Sequence, residues 1–296
     1  MIMEGVITAM KEVAVKVAEA AKEAIKKEVQ ELPDEIGELS EVESLPDEIG
    51  DELQPNSSYE IDGIKYETDD NGQIFKVYGK LAPDIEYVCN GIKYKTDANG
   101  DKISWEGKPF YNPEGERDTG AQTDAGGEDR KPGDDGGHLV ARITGGSAGN
   151  ENLVPMRDTI NRGDYKKAEN EIINALKNGS EVTEKGTVIR EGSDSRPTKV
   201  EMQYSYDDVN KVLIVDNVKG SWDLLQKVEG VISEEDFASL MDEINDMVED
   251  GSEISVTSVL KELDADGNIK SITVGVRDET LGEKSYRTYD ALKEVQ

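Results

Sequence analysis

Apolar residues at Met3, Val6, Met10, Val13, Val17, Ala20 and Ala24 recur in steps of three and four with Glu and Lys between them, a spacing that predicts an amphipathic helix over residues 3–30. Its alanine-rich seam suits packing on another helix, so the segment reads as an oligomerisation or docking helix; its acidic polar face argues against a membrane surface. The periodicity then stops. Residues 31–58 repeat Leu32-Pro33-Asp34-Glu35-Ile36-Gly37 as Leu45-Pro46-Asp47-Glu48-Ile49-Gly50 in an acidic run too poor in apolar bulk to offset chain entropy, and are expected to be a flexible linker.

Strand-like alternation begins at Tyr59. The stretch from Tyr59 to Gly72 returns, with the same order of Tyr, Ile, Asp, Asn and Gly, from Tyr87 to Gly100, and β-formers flank an Asn-Gly pair in each copy, which predicts two successive hairpins. The Asp-rich tips, and Asp264 to Asn268, are turns rather than calcium loops: counted from Asp97, the sixth and twelfth positions are Lys102 and Lys108 where glycine and glutamate are required. Further on, Thr198–Tyr206 and Lys211–Val218 alternate as strands about Asp207-Asp208. Ser233 with Asp236 three positions on opens a helix over 233–250, and 253–263 with 269–277 read as a closing hairpin. The pattern as a whole predicts an α+β protein on an antiparallel sheet: helix 1–30, linker 31–58, first hairpin repeat 59–86, a central domain 87–220 and an acidic α+β extension 221–296. The extension is either a separate appendage or a continuation of the central sheet.

The 296 residues carry a formal charge of −31, which argues against a general polyanion binder. The acid is unevenly spread, however: residues 117–220 hold 15 basic and 19 acidic groups, a difference of −4, whereas 1–60 hold 5 and 16, a difference of −11. A local basic groove is therefore compatible with the central segment. The single cysteine, Cys89, excludes an internal disulfide and reads as a small strand residue. No run of 18 apolar residues suggests a membrane span, and the N-terminus lacks the basic start and apolar run of a cleaved signal.

His138, the only histidine, lies in the central segment behind Asp135-Gly136-Gly137. Phosphodiester hydrolysis needs a base for water, a cation at the phosphoryl oxygens and help for the leaving oxygen. A neutral imidazole is a suitable base, and the glycines before it are expected to leave room for a nucleic-acid backbone. Asn161 offers a neutral amide oxygen suited to a magnesium ion that keeps most of its waters. Glu169, eight residues later, would stand about 80° around and roughly 12 Å along a regular helix, leaning back toward the ion's water shell. Tyr165, Ala168, Ile172 and Leu176 give that helix an apolar stripe, and Asn178-Gly179 ends it. Each residue also has a plainer reading: structural histidine, helix-capping Asn161, solvated Glu169, turn residue Asn152, surface ion pairs for Arg130 and Arg142.

The order Asp135-Gly136-Gly137-His138, Asn152-Leu153-Val154-Pro155-Met156, Asn161, Glu169 resembles the DNA/RNA non-specific endonuclease family of the ββα-metal superfamily. Within it, the run from Gly126 to Leu139 is similar to nuclease toxins at the C-terminal ends of antibacterial effectors exported by type VII secretion. The resemblance covers about residues 87–220. It implies a ββα-metal core with His138 as general base, Asn161 as the magnesium ligand, manganese being the substitute, Glu169 as a water-shell or leaving-group residue and Asn152 as a substrate-positioning amide. The widespread family signature has arginine where this chain has Gly136. That leaves the transition-state arginine to Arg130 or Arg142, with Arg162 and Arg196 as further substrate contacts.

By the same resemblance the protein is expected to be a metal-dependent endonuclease for DNA, with RNA as the alternative. It would be secreted by a specialised bacterial system, act in the target cell cytoplasm and be neutralised by an immunity protein; the N-terminal helix would serve an oligomer or a secretion partner, and no membrane is involved. The rival from another class is a non-catalytic acidic module that occupies a nucleic-acid site on a partner, using the 65 acidic groups. An inactive family member is the third reading.

Overall fold

The computed structural model describes residues 53–61, 64–192 and 194–292. The helix expected over 3–30 and the linker up to residue 52 lie outside them. Among the described residues antiparallel strands dominate and helices are few, as in an α+β protein. The chain divides into two compact units, the first ending at Ile103 and the second starting at Ser104.

In the first unit, β1 (Ser58–Ile61), β2 (Ile64–Thr68), β3 (Ile74–Val77) and β4 (Lys80–Leu81) form a meander, and β5 (Glu86–Cys89) with β6 (Ile92–Thr96) a hairpin. Asn90 and Gly91 turn that hairpin with φ of 53° and 74°, the left-handed pair a tight two-residue turn needs. The two copies of the repeat close alike. Asp69 Oδ1 accepts from the N–H groups of Asn71 and Gln73, and Asp97 Oδ1 from those of Asn99 and Asp101. Thr68 and Thr96 each donate from Oγ1 to a carbonyl fourteen residues back, of Gln54 and Ala82, at 2.7 Å. A carboxylate engaged by its own turn is a backbone clasp, not a cation ligand. The buried rings of Phe75, Tyr87 and Tyr94 stack along this unit, with centroids 5.1 and 5.3 Å apart.

The second unit opens in β7 (Lys102–Gly107) and continues through α1 (Thr119–Asp124), β8 (Asp134–His138), β9 (Leu153–Arg157), α2 (Lys166–Lys177), β10 (Val182–Ile189), β11 (Lys199–Tyr206), β12 (Val209–Asp216), α3 (Glu234–Glu249), β13 (Ile254–Leu263), β14 (Ile269–Asp278) and β15 (Lys284–Asp290). Strands β7 and β10 to β15 lie in one antiparallel sheet in the order β15-β14-β13-β12-β11-β10-β7, while β8 and β9 form a separate ribbon. The acidic extension continues the sheet: β13 pairs with β12 from Lys211↔Glu262 to Val215↔Ser258. Ser233 caps α3 by accepting from the Asp236 N–H, and Leu240 and Ile244 of that helix are buried with Ile214, Val256 and Val274 of the sheet. Ile254, Val256 and Val259 of β13 and Ile272, Val274 and Val276 of β14 join the same buried cluster, which is why this tail folds onto the sheet instead of standing apart.

Candidate active site

Strands β8 and β9 pair from Asp134↔Arg157 to His138↔Leu153, and the chain then enters α2, so His138 ends the first strand of a strand–strand–helix unit. The loop after His138 is braced from within. Asn152 is completely buried; its Oδ1 accepts from Val140 N–H at 2.9 Å while Nδ2 donates to the carbonyls of Val140 at 2.8 Å and Ser147 at 2.9 Å. The amide expected to position substrate thus holds the His138 loop and does not reach the surface.

The two glycines before His138 make room for the protein's own atoms, not for a nucleic-acid backbone as the sequence suggested. A Cβ on Gly136 would lie 2.4 Å from the Gln122 carbonyl oxygen and 2.6 Å from its Cα, because α1 packs on β8 at that point. A Cβ on Gly137 would lie 3.2 Å from Asn161 Oδ1. Gly136→Ala is expected to cost about 1–3 kcal/mol by forcing α1 off the strand, read as a lower urea midpoint; an unchanged midpoint would contradict this packing.

The helix entry is irregular. Asn161 follows a single helical turn, Asp158–Ile160, and the wide turn Asn161–Tyr165 is interrupted at Gly163 (φ −100°, ψ −105°). The regular-helix relation expected between Asn161 and Glu169 therefore does not hold, and Asn161 does not cap α2 either, whose N-terminal flank is Tyr165. Asn161 Nδ2 donates to Asp135 Oδ2 at 2.9 Å, which turns Oδ1 toward Gly137. Burial pushes the Asp135 carboxyl up, but hydrogen bonds from Arg162 and Asn161 bring it below the ordinary range. Glu169 is buried on the inner face of α2 and is not a solvated carboxylate; its burial raises its pKa, against Lys166, which donates to Oε2 at 2.8 Å, and against Arg117.

Around His138 positive charge converges. Its Nε2 is buried with no hydrogen-bond partner among the described residues. Burial first, then Arg117, Arg142 and Lys166, lower its pKa to about 4, with Glu151 acting in the opposite sense. The ring is therefore a neutral acceptor across the physiological range. Arg117 arrives through the loop 110–117, which backbone bonds from Phe110 and Asn112 to Thr144 and Ile143 and a bond from Arg142 Nη1 to the Gly115 carbonyl fasten to the turn after His138.

The other arginines are engaged elsewhere. Arg130 donates to the carbonyls of Gln122, Thr123 and Ala125 at the end of α1 and to that of Asp134. Arg162 is exposed and forks onto Asp135 at 2.8 and 2.7 Å. Arg196 is buried with both carboxylate oxygens of Asp134 at 2.7 and 2.9 Å, a placement closed to substrate. Sequence reasoning passed over Arg117 and Lys166. Lys166 stands three residues before Glu169, an ion-pair spacing visible in the chain, whereas nothing local announces Arg117.

Among the described residues no three His, Cys, Asp or Glu side chains gather closely enough to cage a metal. The Asn161 amide oxygen, left clear by Gly137, and the unpartnered buried nitrogen of His138 are groups of the kind that suit a hydrated ion held by few protein atoms.

Comparison with known proteins agrees with the ordered motifs. The profile of the DNA/RNA non-specific endonuclease family matches residues 83–208. The type VII secretion system protein EssD of Staphylococcus aureus, in strains USA300 and NCTC 8325 / PS 47 alike, is 42% identical over 97 residues, covering 31% of this chain and 16% of its own length. The chain thus spans under a fifth of the curated relatives it matches. The matched residues 83–208, which contain His138, Asn161 and Glu169, are similar to the DNA/RNA non-specific endonuclease family.

Proposed function

We propose that the protein is a metal-dependent, sequence-tolerant endonuclease with β8, β9 and α2 as its ββα-metal core. The observation that carries this reading is the buried, neutral, unpartnered Nε2 of His138 among Arg117, Arg142 and Lys166. His138 accepts a proton from the attacking water at Nε2. Asn161 holds the ion by Oδ1, in the orientation that its bond to Asp135 favours. A bound magnesium or manganese ion supplies charge neutralisation at the phosphoryl oxygens. Arg117 and Arg142 bind the phosphate, and Lys166 holds Glu169 where a water or the leaving oxygen passes. Contacts of this kind go to phosphates, not base edges, so sequence tolerance follows; the substrate proposed is DNA, with RNA as the alternative. Arg130 and Arg196 are assigned to architecture, as is Asn152. By its likeness to EssD, a type VII secretion system protein, the protein is assigned to secretion through a type VII system. The role of antibacterial toxin, held in check by an immunity protein in the producing cell, rests on the resemblance of the run from Gly126 to Leu139 to secreted nuclease toxins.

Supercoiled plasmid incubated with magnesium or with chelator tests the reading: nicking that requires metal supports it, and a folded, inert protein favours the acidic binding module. The same assay reads the base. Because the imidazole pKa is lowered to about 4, the acidic limb of kcat/KM is expected well below the pH 6.5 of an ordinary histidine. Arg117→Gln removes a positive neighbour, so protonation becomes easier and the limb moves to higher pH. A limb that stays put in this variant would separate Arg117 from the base.

A further inference from the structure

The turn that carries Asn161 is fastened from the far end of the chain. Asp164, three residues on, is 4% exposed, and its carboxylate collects donors from the last strands of the sheet. Tyr286 donates to Oδ1 at 2.5 Å, Lys284 Nζ donates to Oδ2, and Thr257 Oγ1 lies 3.4 Å from Oδ2, its hydroxyl shared with the Gly275 carbonyl at 3.2 Å, while Ser258 contributes to holding the carboxylate ionised.

These donors form an ordered row. Ser258 of β13 stands opposite Gly275 of β14, and Gly275 opposite Tyr286 of β15. Lys284 lies two positions before Tyr286, hence on the same face. A register shift between Val256 and Ser258 re-aims Thr257 and Ser258, as bulges do. Glycine is required at 275, since a Cβ there would lie 2.3 Å from Ser258 Oγ and 3.3 Å from both Thr257 Oγ1 and the Tyr286 ring. Lys167, in the first turn of α2, lies 3.6 Å from the centroid of the Tyr286 ring. Three strands are thus shaped around one carboxylate.

A buried ion pair adds little net stability over apolar packing of the same volume. What a carboxylate with several fixed donors supplies is a single position, and the turn needs one: Gly163 interrupts the helix, and no side chain caps α2. We propose that Asp164 is a positioning residue for Asn161, with Lys284 and Tyr286 as its receptor, so that the acidic C-terminal extension sets the geometry of the nuclease site. The proposal rests on the nuclease reading above.

The test uses the full chain, with Tyr286→Phe, Lys284→Met and Asp164→Asn compared to Tyr289→Phe as a control on the same strand. Two quantities are read at a temperature where each variant is folded. One is the side-chain amide NMR signal of Asn161 in metal-free protein, assigned by its loss in Asn161→Ala; the other is the Mn²⁺ concentration that half-saturates binding. Tyr286→Phe and Lys284→Met are expected to shift or broaden the Asn161 signal and to raise the half-saturating Mn²⁺ about tenfold, while Tyr289→Phe moves neither. A lower melting temperature with an unmoved Asn161 signal and unchanged Mn²⁺ binding would overturn the proposal. Failure of wild-type protein to bind Mn²⁺ or nick plasmid would instead overturn the nuclease reading, whatever the Asn161 signal does.

Discussion

His138→Ala is expected to lower magnesium-supported plasmid nicking by about 10²–10⁴-fold, with the fold intact. The chain has no second histidine to stand in. Glu169 is a poor substitute base because Lys166 already holds one of its oxygens. Stability should change little: the lost ring leaves a cavity, but it also removes a buried nitrogen without a partner, whose burial costs on the order of 1–3 kcal/mol. Activity that collapses while the melting temperature holds therefore reports chemistry. Retained nicking by this variant would remove His138 from the mechanism.

The largest stability loss is expected from Arg196→Ala, about 3–5 kcal/mol. Its guanidinium and the Asp134 carboxylate have side chains 6% and 1% exposed and meet at 2.7 Å, and Arg196 also donates to the Asn217 carbonyl at 3.0 Å. Removing the arginine strands a carboxylate in the interior at the start of the strand that ends in His138. The pH dependence fixes the sign. Burial pushes Asp134 up, but Arg196 and the Lys131 N–H bring it below its ordinary value, so its contribution is present above the unfolded pKa of about 3.9 and is lost as pH falls through the lower folded value. The variant can relieve its stranded charge by protonation, so the gap between wild type and Arg196→Ala in urea midpoint should narrow as the pH is lowered. The pair replacement Asp134→Leu with Arg196→Met should recover most of the loss. A midpoint within experimental error of wild type for Arg196→Ala would show that the pair is not buried as described.

Local chemistry was legible in the chain wherever a few adjacent residues suffice. Ser233 with Asp236 marks the start of α3, Asn90-Gly91 marks a tight turn, and Gly179 with φ of 88° ends α2 after the Asn178 cap. The order of His138, Asn161 and Glu169 was legible because the family motif is ordered. What surrounds them was not. Arg117 lies 21 residues before His138 and is delivered by backbone bonds between two loops, which no periodicity encodes. Gly136 was read as room for substrate because a missing side chain does not say what fills its place; here it is the α1 backbone. Arg130 and Arg196 were read as phosphate contacts because charge alone does not reveal whether an internal acceptor waits for it. The break at Gly163 likewise has no marker beyond one glycine in an otherwise helical run.

The twin clasps of the first unit carry a consequence for heredity. Asp69 Oδ2 also accepts from Val88 N–H at 2.8 Å, so the earlier copy offers a ready seat to the later one. Tyr59 and Tyr87 begin their copies 28 residues apart. Gain or loss of a complete rung preserves every such seat, whereas a partial one leaves a clasp open. Natural variants are therefore expected to differ in this region by whole multiples of that spacing.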